Sequence, residues 1–433
     1  MEIIAIILFV SILVLILYGF PVAFTLGGLS ILYAVCFLEP ASLSALPPRI
    51  MGVMSNYVLL AVPLFVYMGI MLEKSGLAES MLETMSMLFG RLHGGLAISV
   101  IIVGALLAAS TGIVGATVIT MGLISLPTML KRKYDPALAA GTIASSGTLG
   151  QIIPPSVVLV LLGSVLNISV GDLFKAAIIP GLLLVVAYII FILVYAKLYP
   201  HKAPALTREE LDDFKSHNYK SKVIKAFLFP MLLIASVLGS ILLGIASPTE
   251  AAAVGAFGAI ILTIIQKRFS LSVLKEVMQE TTHLTAMVFM ILLGATTFTF
   301  VFRELGGDRY LMETISDAHL SPQMFLLLVM VVVFVAGFFI DFIEIIFIIV
   351  PVVSPIFIAL DINLIWIGIL LALNLQTSFL TPPFGFSLFY LKGVAPPEVK
   401  TVHLYNGVIP FLCIQVLLLG MVILFPEIVF VLF

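Results

Sequence analysis

The chain has few charged residues. Asp, Glu, Lys and Arg together make up 10% of its 433 residues, whereas soluble domains contain about 25%. Hydrophobic residues make up 62% of the chain. This composition excludes a soluble globular protein. Apolar runs long enough to span a bilayer recur from one end to the other, so we expect a polytopic α-helical membrane protein.

Cysteine is also scarce, and the usual signatures of enzymes are missing. The two cysteines, Cys36 and Cys413, lie within apolar runs and are interpreted as small core residues rather than a disulfide or a metal site. The six histidines show no metal-binding spacing, and no phosphate-binding loop or catalytic triad signature is present. We therefore expect neither an enzyme nor ATP hydrolysis. Residues 3–20 lack a basic leader and a small-residue cleavage site, and are predicted to form the first span.

The two halves of the chain resemble each other weakly. The longest polar stretch, Tyr199 to Lys222, divides them. Pro127 precedes Pro154-Pro155 by the same interval at which Pro355 precedes Pro382-Pro383. Two further pairs of segments recur in the same order: "MLEKSG" at 71–76 matches "VFRELGG" at 301–307, and "AAIIPGLLL" at 176–184 matches "NGVIPFLC" at 406–413. These matches predict an internal duplication.

The distribution of Lys and Arg predicts that the two halves are inverted. Cytoplasmic loops of membrane proteins are rich in these residues. If Arg91 and Lys131 are both cytoplasmic, the segment between them is a re-entrant hairpin with its tip at 110–112. The corresponding segment of the second half has acidic flanks and a tip near 337–344, and is predicted to enter from outside. All Lys and Arg residues then lie inside except Arg49, Lys175, Arg303 and Arg309.

An inverted repeat with interrupted helices is typical of secondary transporters. The predicted fold class is therefore an all-α polytopic membrane protein, an inverted repeat with two re-entrant hairpins and two broken helices. In the first half we predict scaffold helices at 1–72, an amphipathic inner-surface arm at 73–93, and transport repeat 1 at 94–199, with a hairpin at about 94–130 and a broken helix at about 136–170. A cytoplasmic loop at 200–222 and scaffold helices at 223–302 follow, the latter with a second arm at about 268–283. Transport repeat 2 is predicted at 303–433, with a hairpin at about 322–360, a broken helix at about 363–391 and a C-terminal helix.

The two broken helices have the same unusual composition. "SSGTLGQIIPPS" at 145–156 and "NLQTSFLTPPFGFS" at 374–387 each combine glycine, hydroxyl residues and a Pro-Pro pair. Consecutive prolines remove backbone donors and interrupt a helix, and an interruption within a membrane is tolerated where it lines a cavity or binds something. The freed oxygen atoms suit a hard cation, and half-helix N-termini suit an anion. The structural alternative is a pair of proline kinks stabilised by neighbouring helices.

Asp341 and Glu344 are three residues apart in an apolar run. A carboxylate at the centre of a membrane costs roughly 2.5–3.5 kcal/mol on insertion scales, so the pair indicates an ion site, a proton site or a water-filled cavity. The alternative is that both lie near the outer surface. A further motif, "SPTEAAAVGA" at 247–256, places Glu250 at the start of a span, where we expect it to help cap the helix.

Four motifs together resemble the large membrane subunit of the tripartite ATP-independent periplasmic (TRAP) transporters. They are "STGIVGAT" at 110–117, "GTLGQIIPPS" at 147–156, "SPTEAAAVGA" at 247–256 and "LTPPFGFSLFY" at 380–390, and the resemblance covers the whole chain. It implies an elevator-type transporter in a bacterial inner membrane. It also implies two sodium ions as the only cofactors, a separate small four-helix membrane subunit, a periplasmic substrate-binding protein and contact with membrane lipid. No nucleic acid is implied.

The resemblance also implies where sodium and substrate bind. Sodium site 1 is predicted from Ser110, Thr111, Gly112, Thr117, Ser145, Ser146, Gly147, Thr148 and Gly150. Sodium site 2 is predicted from Gly337, Asp341, Thr377, Ser378, Thr381 and Gly385. The substrate residues are predicted to be Ser110, Ser145, Gly147, Ser156, Asn374, Gln376 and Thr377, and the breaks are assigned to Pro154, Pro155, Pro382 and Pro383. The tip of the first hairpin commonly reads Ser-Gly-Ser in the family, whereas here it reads Ser-Thr-Gly.

The predicted function is sodium-coupled symport of an organic acid anion, delivered by the binding protein and driven without ATP. Three substrate classes remain open: 2-oxo or hydroxy monocarboxylates, C4-dicarboxylates and sialic acid. One alternative is a proton-coupled carboxylate transporter, or an ion channel or exchanger, that uses Asp341 and Glu344. Another is an intramembrane enzyme, for which no water-activating group of residues is visible.

Overall fold

The computed structural model describes residues 2–112, 114–206 and 223–433, except for the side chains of Ser110, Thr111, Lys225, Ala226 and Ser316. The regular secondary structure of the described residues is helical, and these residues contain no strand. Within the described residues, six helices are long and apolar enough to cross a membrane, or seven if one bent pair counts as a single span. The predicted all-α polytopic class is thereby confirmed.

Eleven α-helices form the first half. They are α1 (Glu2–Leu17), α2 (Val22–Phe37), α3 (Pro40–Leu43), α4 (Leu46–Met54), α5 (Ala61–Lys74), α6 (Leu77–Leu88), α7 (Gly95–Thr111), α8 (Val114–Lys131), α9 (Pro136–Thr148), α10 (Val157–Leu166) and α11 (Val170–Leu198).

The second half continues with α12 (Phe229–Leu242), α13 (Pro248–Ile265), α14 (Leu271–Glu304), α15 (Gly307–Asp317), α16 (Pro322–Ala336), α17 (Phe342–Ile348), α18 (Val350–Ala359), α19 (Leu364–Leu380), α20 (Phe386–Val394), α21 (Thr401–Leu424) and α22 (Glu427–Phe430).

Polar residues fix the starts of several of these apolar helices. Asp135 accepts hydrogen bonds from the backbone N–H groups of Ala137 and Leu138 at the start of α9. Asn363 does the same at the start of α19. Ser247 and Glu250 form a capping box at the start of α13, which is the role expected for Glu250 from the sequence. Such caps satisfy amides that have no partner within the helix.

The connection between α5 and α6 corresponds to the connection between α14 and α15. In both, a membrane helix ends at a glycine in the left-handed region and a short amphipathic helix follows. Gly76 has φ 67° and Gly306 has φ 85°, a region that glycine adopts without steric cost. These are the glycines of the matched segments "MLEKSG" and "VFRELGG", so the weak sequence match marks a repeated structural feature.

The scaffold helices pair in the same symmetric way. Helix α2 packs along α14, and α13 packs along α5. In the second half α13 corresponds to α2, and α14 corresponds to α5. At one end of this bundle the Lys74 ammonium contacts the carboxylates of Glu276 (2.6 Å) and Glu280 (2.9 Å), which lie near the start of α14. Arg303 lies near the other end of the same 34-residue helix, about 40 Å away at 1.5 Å per residue. Lys74 and Arg303 therefore lie at opposite ends of the molecule, as the predicted topology requires.

Nine other helices of the described part of the chain form two hairpins, α7–α8 and α16–α17–α18, and two broken helices, α9–α10 and α19–α20. Each hairpin's second arm packs against the half-helix that follows the break of the other repeat: α8 packs on α20, and α17 and α18 pack on α10. Gly141 of α9 and Gly407 of α21 meet backbone to backbone, so a Cβ on either would overlap the other helix. This interlocked set of helices is called the transport unit below.

The segments predicted as amphipathic arms take two different forms. The first is a separate helix, α6, which packs against α7. The second is continuous with the following span, because α14 runs without a break from Leu271 to Glu304. From Leu271 up to Gly294, α14 contains no proline or glycine. The arm and the span therefore have no residue between them that would kink the helix. Of the predicted cytoplasmic loop, residues 207–222 lie outside the described residues.

Candidate functional site

The first break separates α9 from α10. A 3-10 turn, Leu149–Gln151, follows α9, and a short non-helical segment then leads to Ser156, the N-cap residue of α10. The Pro154-Pro155 peptide bond is cis. The Ser156 hydroxyl donates to the Gln151 carbonyl (3.1 Å), so it satisfies one of the carbonyls that the interruption leaves without a helical partner.

The second break separates α19 from α20 and has the same design. The Pro382-Pro383 bond is also cis, and the Ser387 hydroxyl donates back across the break to the Phe379 carbonyl (2.8 Å). In each repeat a serine after the Pro-Pro pair therefore closes the break. The Asn374 side-chain amide donates to the Met330 carbonyl of α16 (2.7 Å) and ties the broken helix to its hairpin.

Both hairpin tips lie against a break. Gly112, with φ 63°, ends α7, and a Cβ at this position would lie 2.8 Å from a methyl group of Val157, the first residue of α10. At the other tip, a Cβ on Gly337 would lie 2.8 Å from the Cβ of Ser378. The rings of Phe342 and Phe379 are 6.2 Å apart. Each hairpin and broken helix of a repeat therefore form one local unit.

The two breaks meet at a group of buried polar side chains. Gln376 of α19 donates to the Thr148 hydroxyl of α9 at 3.5 Å, and α19 packs against the 3-10 turn that contains Gln151. Within the described part of the chain, no hydrogen-bond partner exists for the Ser145 hydroxyl, either amide atom of Gln151 or the Gln376 oxygen, although all three side chains are fully buried. We call Ser145, Thr148, Gln151 and Gln376 the central polar cluster.

Unpartnered buried polar atoms are uncommon in folded proteins, because each costs about 1–3 kcal/mol. A group of them where two interrupted helices meet indicates a place for something polar to bind. Gln151 was missed by the sequence interpretation of the site residues. The available signal was a glutamine within the otherwise apolar part of "GTLGQIIPPS", one turn from the Pro-Pro pair.

Most hydroxyl groups of the breaks donate to carbonyls of their own helix. Ser146, Thr148, Thr377, Ser378 and Thr381 all do so, at 2.7–2.9 Å. A hydroxyl group that donates its single hydrogen in this way still has oxygen lone pairs. These oxygen atoms can therefore accept a bond or coordinate a hard cation such as sodium.

The predicted residues of sodium site 1 come together around the first break. Gly150 packs against the Ala108 carbonyl of α7 and Gly147 packs against Val118 of α8, next to the buried Thr117. The side chains of Ser110 and Thr111 lie outside the described residues. The predicted residues of site 2 lie around the second break, with Gly337 against Ser378 and Gly385 against the Phe379 carbonyl. Whether sodium binds at either place stays a prediction.

The predicted substrate residues divide into two groups. Ser145 and Gln376 belong to the central polar cluster, and Gly147 and Thr377 lie on the same two helices. Asn374 and Ser156 are engaged in the bonds across the hairpin and the break described above. The side chain of Asn374 therefore contacts α16 rather than the cluster.

Asp341 and Glu344 occupy the tip of the second hairpin as a reciprocal cap. The Asp341 carboxylate accepts from the Phe342 N–H (2.7 Å), and the Glu344 carboxylate accepts from the Asp341 N–H (3.2 Å). Asp341 is thus the N-cap of α17 and Glu344 is its third residue, in a capping box. This contact accounts locally for both acidic residues.

Each repeat consists of a hairpin and a broken helix, and the two inverted repeats meet at a buried polar cluster. This arrangement defines a membrane secondary transporter. The fold is similar to that of the YdaH transporter of Alcanivorax borkumensis, with a TM-score of 0.65 at 15% identity over 90% of each chain. Residues 9–428 match the family described as the DctM component of the tripartite ATP-independent periplasmic transporters. The chain belongs to this family of large permeases.

Characterised relatives are similar over almost the whole chain. The C4-dicarboxylate TRAP transporter large permease DctM of Pseudomonas aeruginosa is 32% identical over 403 residues, covering 93% of this chain and 92% of that protein. The sialic acid TRAP transporter large permease SiaM of Vibrio cholerae is 31% identical, covering 94% and 93%. The ectoine TRAP transporter large permease TeaC of Halomonas elongata is 27% identical, covering 96% and 95%. The chain is therefore a multi-pass transporter permease and not an enzyme.

Proposed function

We propose that the chain is the permease of a sodium-coupled symporter that takes up an organic acid anion without ATP. The observation that carries the proposal is the central polar cluster between two broken helices, where the hydroxyl of Ser145, both amide atoms of Gln151 and the amide oxygen of Gln376 are buried without partners among the described residues. Sodium bound beside each break supplies positive charge, and half-helix N-termini and amides bind the carboxylate.

The proposed partners are a separate small permease subunit and a periplasmic substrate-binding protein, and the proposed location is a bacterial inner membrane. The family is tripartite and periplasmic by description, which supports this assembly. The names of the relatives refer to C4-dicarboxylates, sialic acid and ectoine, so similarity alone supports a class of small carboxylate-bearing compounds. A 2-oxo or hydroxy monocarboxylate remains the first candidate from the sequence.

We further propose that transport proceeds by an elevator movement. The transport unit is interlocked across both repeats through α8 with α20 and α10 with α18. A unit held together in this way is suited to move as one body and carry the cluster past the paired helices α2, α14, α5 and α13.

The test is uptake into vesicles that contain the chain and a small permease subunit that assembles with it, with candidate binding proteins loaded with succinate, pyruvate or N-acetylneuraminate. We expect uptake of one of these anions with an inward sodium gradient and none with potassium in its place. Equal uptake with potassium would contradict sodium coupling, and uptake that requires ATP would contradict secondary transport.

Proton coupling is the second candidate, and the observation that favours it is the acidic pair at the tip of the second hairpin. Asp341 and Glu344 lie in the transport unit, and the Glu344 carboxylate is 3.2 Å from the Asp341 backbone nitrogen. The same vesicles decide between the two: proton coupling requires uptake driven by a pH gradient in the absence of sodium.

A further inference from the structure

A cavity of about 480 Å³ lies between the scaffold and the transport unit, at the end of the molecule where α14 terminates. The scaffold contributes residues of α4 and α14, and the transport unit contributes residues of α10, α17 and α18. Its polar lining includes Arg49, Asn56, Ser164, Thr299, Arg303 and Ser354. The Asn56 amide reaches across from the scaffold to the Ser164 hydroxyl at 3.4 Å, so the cavity lies on the surface along which the two parts would move.

The lining is positively charged. It includes two arginines and no carboxylate among the described residues. The Arg303 guanidinium contacts the Asp308 carboxylate at 3.0 Å, which offsets its charge in part. Arg49 has no ion-pair partner within the described part of the chain, and its guanidinium carbon lies 4.7 Å from the centre of the Phe300 ring. Stacking on an aromatic ring holds a guanidinium in place and leaves its N–H groups available.

Hydroxyl and amide groups complete the cavity. Thr299 lies one helical turn before Arg303 on α14 and is therefore on the same face. Guanidinium groups recognise carboxylates through paired N–H donors, and hydroxyls can donate to the remaining oxygen. The volume is within the range of small-molecule sites. No part of this cavity overlaps the central polar cluster, whose residues are absent from its lining.

We propose that this cavity is a second, outer binding site for the carboxylate of a small organic anion, with Arg49 as the principal binding residue and Arg303 and Thr299 beside it. The inference rests on the proposed function in one respect, namely that the transported compound is an organic anion. At this site the anion, once the binding protein has released it outside, binds at the edge of the transport unit before it reaches the breaks.

The charge of the cavity can be measured without knowing the substrate. Both native cysteines are exposed, so the core position expected for them from the sequence is wrong. Thr299→Cys is introduced in a chain in which they are replaced by Cys36→Ser and Cys413→Ser. The rates at which the introduced thiol reacts with an anionic and a cationic methanethiosulfonate of similar size are then compared. In each reaction the thiolate forms a mixed disulfide and releases a sulfinate. We expect the anionic reagent to be favoured, and Arg49→Gln to lower the anionic-to-cationic rate ratio about five-fold.

Three further variants test whether the rate ratio follows the charge of the cavity. Asp308→Asn removes the partner of Arg303, so we expect it to raise the same ratio. Arg309→Gln is the matched control, because Arg309 is an outer arginine that contacts Glu2 (3.0 Å) and does not line the cavity; we expect it to leave the ratio unchanged. Arg49→Lys retains the charge and is expected to keep most of the ratio.

Protection and uptake complete the test. We expect one of succinate, pyruvate and N-acetylneuraminate to slow the labelling of the introduced thiol, and to do so less in Arg49→Gln. In uptake, Arg49→Gln should raise the half-saturating anion concentration about ten-fold or more, because it removes a charge-assisted contact, while half-saturating sodium stays unchanged. The proposal is overturned if a transported anion neither protects the introduced thiol nor depends on Arg49. If the unmodified chain transports none of the three anions, the proposed function fails, whereas the rate ratios still report on the cavity.

Discussion

Individual hydroxyl groups at the breaks differ in whether they already have a partner. The Ser145 hydroxyl is fully buried and has none within the described residues, whereas Thr381 donates to the Thr377 carbonyl at 2.7 Å. An unpartnered buried oxygen costs free energy unless something binds it. Ser145 is therefore the more informative position for testing the proposed cation sites.

We expect Ser145→Ala to raise the sodium concentration for half-maximal uptake about ten-fold, since it removes one oxygen ligand from a hard cation. Thr381→Ala should act in the same direction at the second break. Uptake in vesicles against a sodium titration measures this. Ser99→Ala is the control, because Ser99 is buried in α7 and its hydroxyl donates to its own helix at Gly95 (2.8 Å). Unchanged sodium curves in both test variants would exclude the breaks as cation sites.

Variants of the acidic pair at the second tip can distinguish the effect of the carboxylate charge from the effect of helix capping. Asparagine caps helices as well as aspartate does, so Asp341→Asn keeps the Phe342 contact and removes the charge. We expect it to impair uptake while the melting temperature stays close to that of the unmodified chain. Glu344→Gln should impair uptake less. Asp341→Ala also removes the cap and should lower stability by about 0.5–2 kcal/mol.

Full activity of Asp341→Asn would show that the carboxylate serves only as a cap. If both carboxylates proved essential and uptake followed a pH gradient without sodium, proton coupling would replace sodium coupling. The three variants are measured in the same vesicles with sodium and pH gradients applied separately.

Between elements, close packing depends on glycines at helix crossings. Helices α9 and α21 approach so closely at Gly141 and Gly407 that an added Cβ on either residue would overlap a backbone carbonyl of the other helix. Backbone atoms cannot rotate away as a side chain can. The contact therefore joins the C-terminal helix to the first broken helix across the two repeats.

We expect Gly141→Ala to cost roughly 1–3 kcal/mol or more and to lower the yield and melting temperature of the purified protein, because overpacking forces the helices apart. Gly239→Ala is the matched control: Gly239 lies in α12 with no atom within 4 Å of an added Cβ, so alanine should be neutral or stabilising there. Similar melting temperatures for the two variants would contradict the close approach of α9 and α21.

At the scale of the whole molecule, the described contacts divide the chain into a paired scaffold and an interlocked transport unit. Scaffold and unit meet at polar contacts as well as apolar ones. At the inner end, Thr120 of α8 donates to the Glu73 carboxylate of α5, and at the outer end Asn56 contacts Ser164. Contacts of this kind can exchange with water during movement at lower cost than a continuous apolar interface.

The elevator proposal predicts which distances change. Spin labels at Leu123 and Phe384, both exposed side chains of the transport unit, should keep their mutual distance. Each should change its distance to a label at Phe257, an exposed scaffold position, by several ångströms. Pulsed EPR with and without sodium measures all three pairs. If the distances to Phe257 keep a single value in every condition that supports uptake, a local gate is the better mechanism.

Composition and hydrophobic run lengths by themselves determined that this chain is a helical membrane protein. Proline and glycine placement was enough to locate both breaks, because consecutive prolines in the interior of a long apolar run cannot continue a helix. Lys and Arg placement indicated the inversion, and the four motifs led to the family. These signals are local, so a linear sequence can carry them.

Only the tertiary structure decided which polar atoms remain without a partner. Ser145, Ser146 and Thr148 are similar in sequence, but the hydroxyls of Ser146 and Thr148 donate to their own helix and that of Ser145 does not. Gln151 lies in the central polar cluster and Asn374 contacts α16, because the packing of α19 on the first break determines which groups each amide can reach. The cavity beside Arg49 and Arg303 arises in the same way, since it brings together residues that are far apart in sequence. Long-range packing sets these distances, and no local pattern of residues contains them.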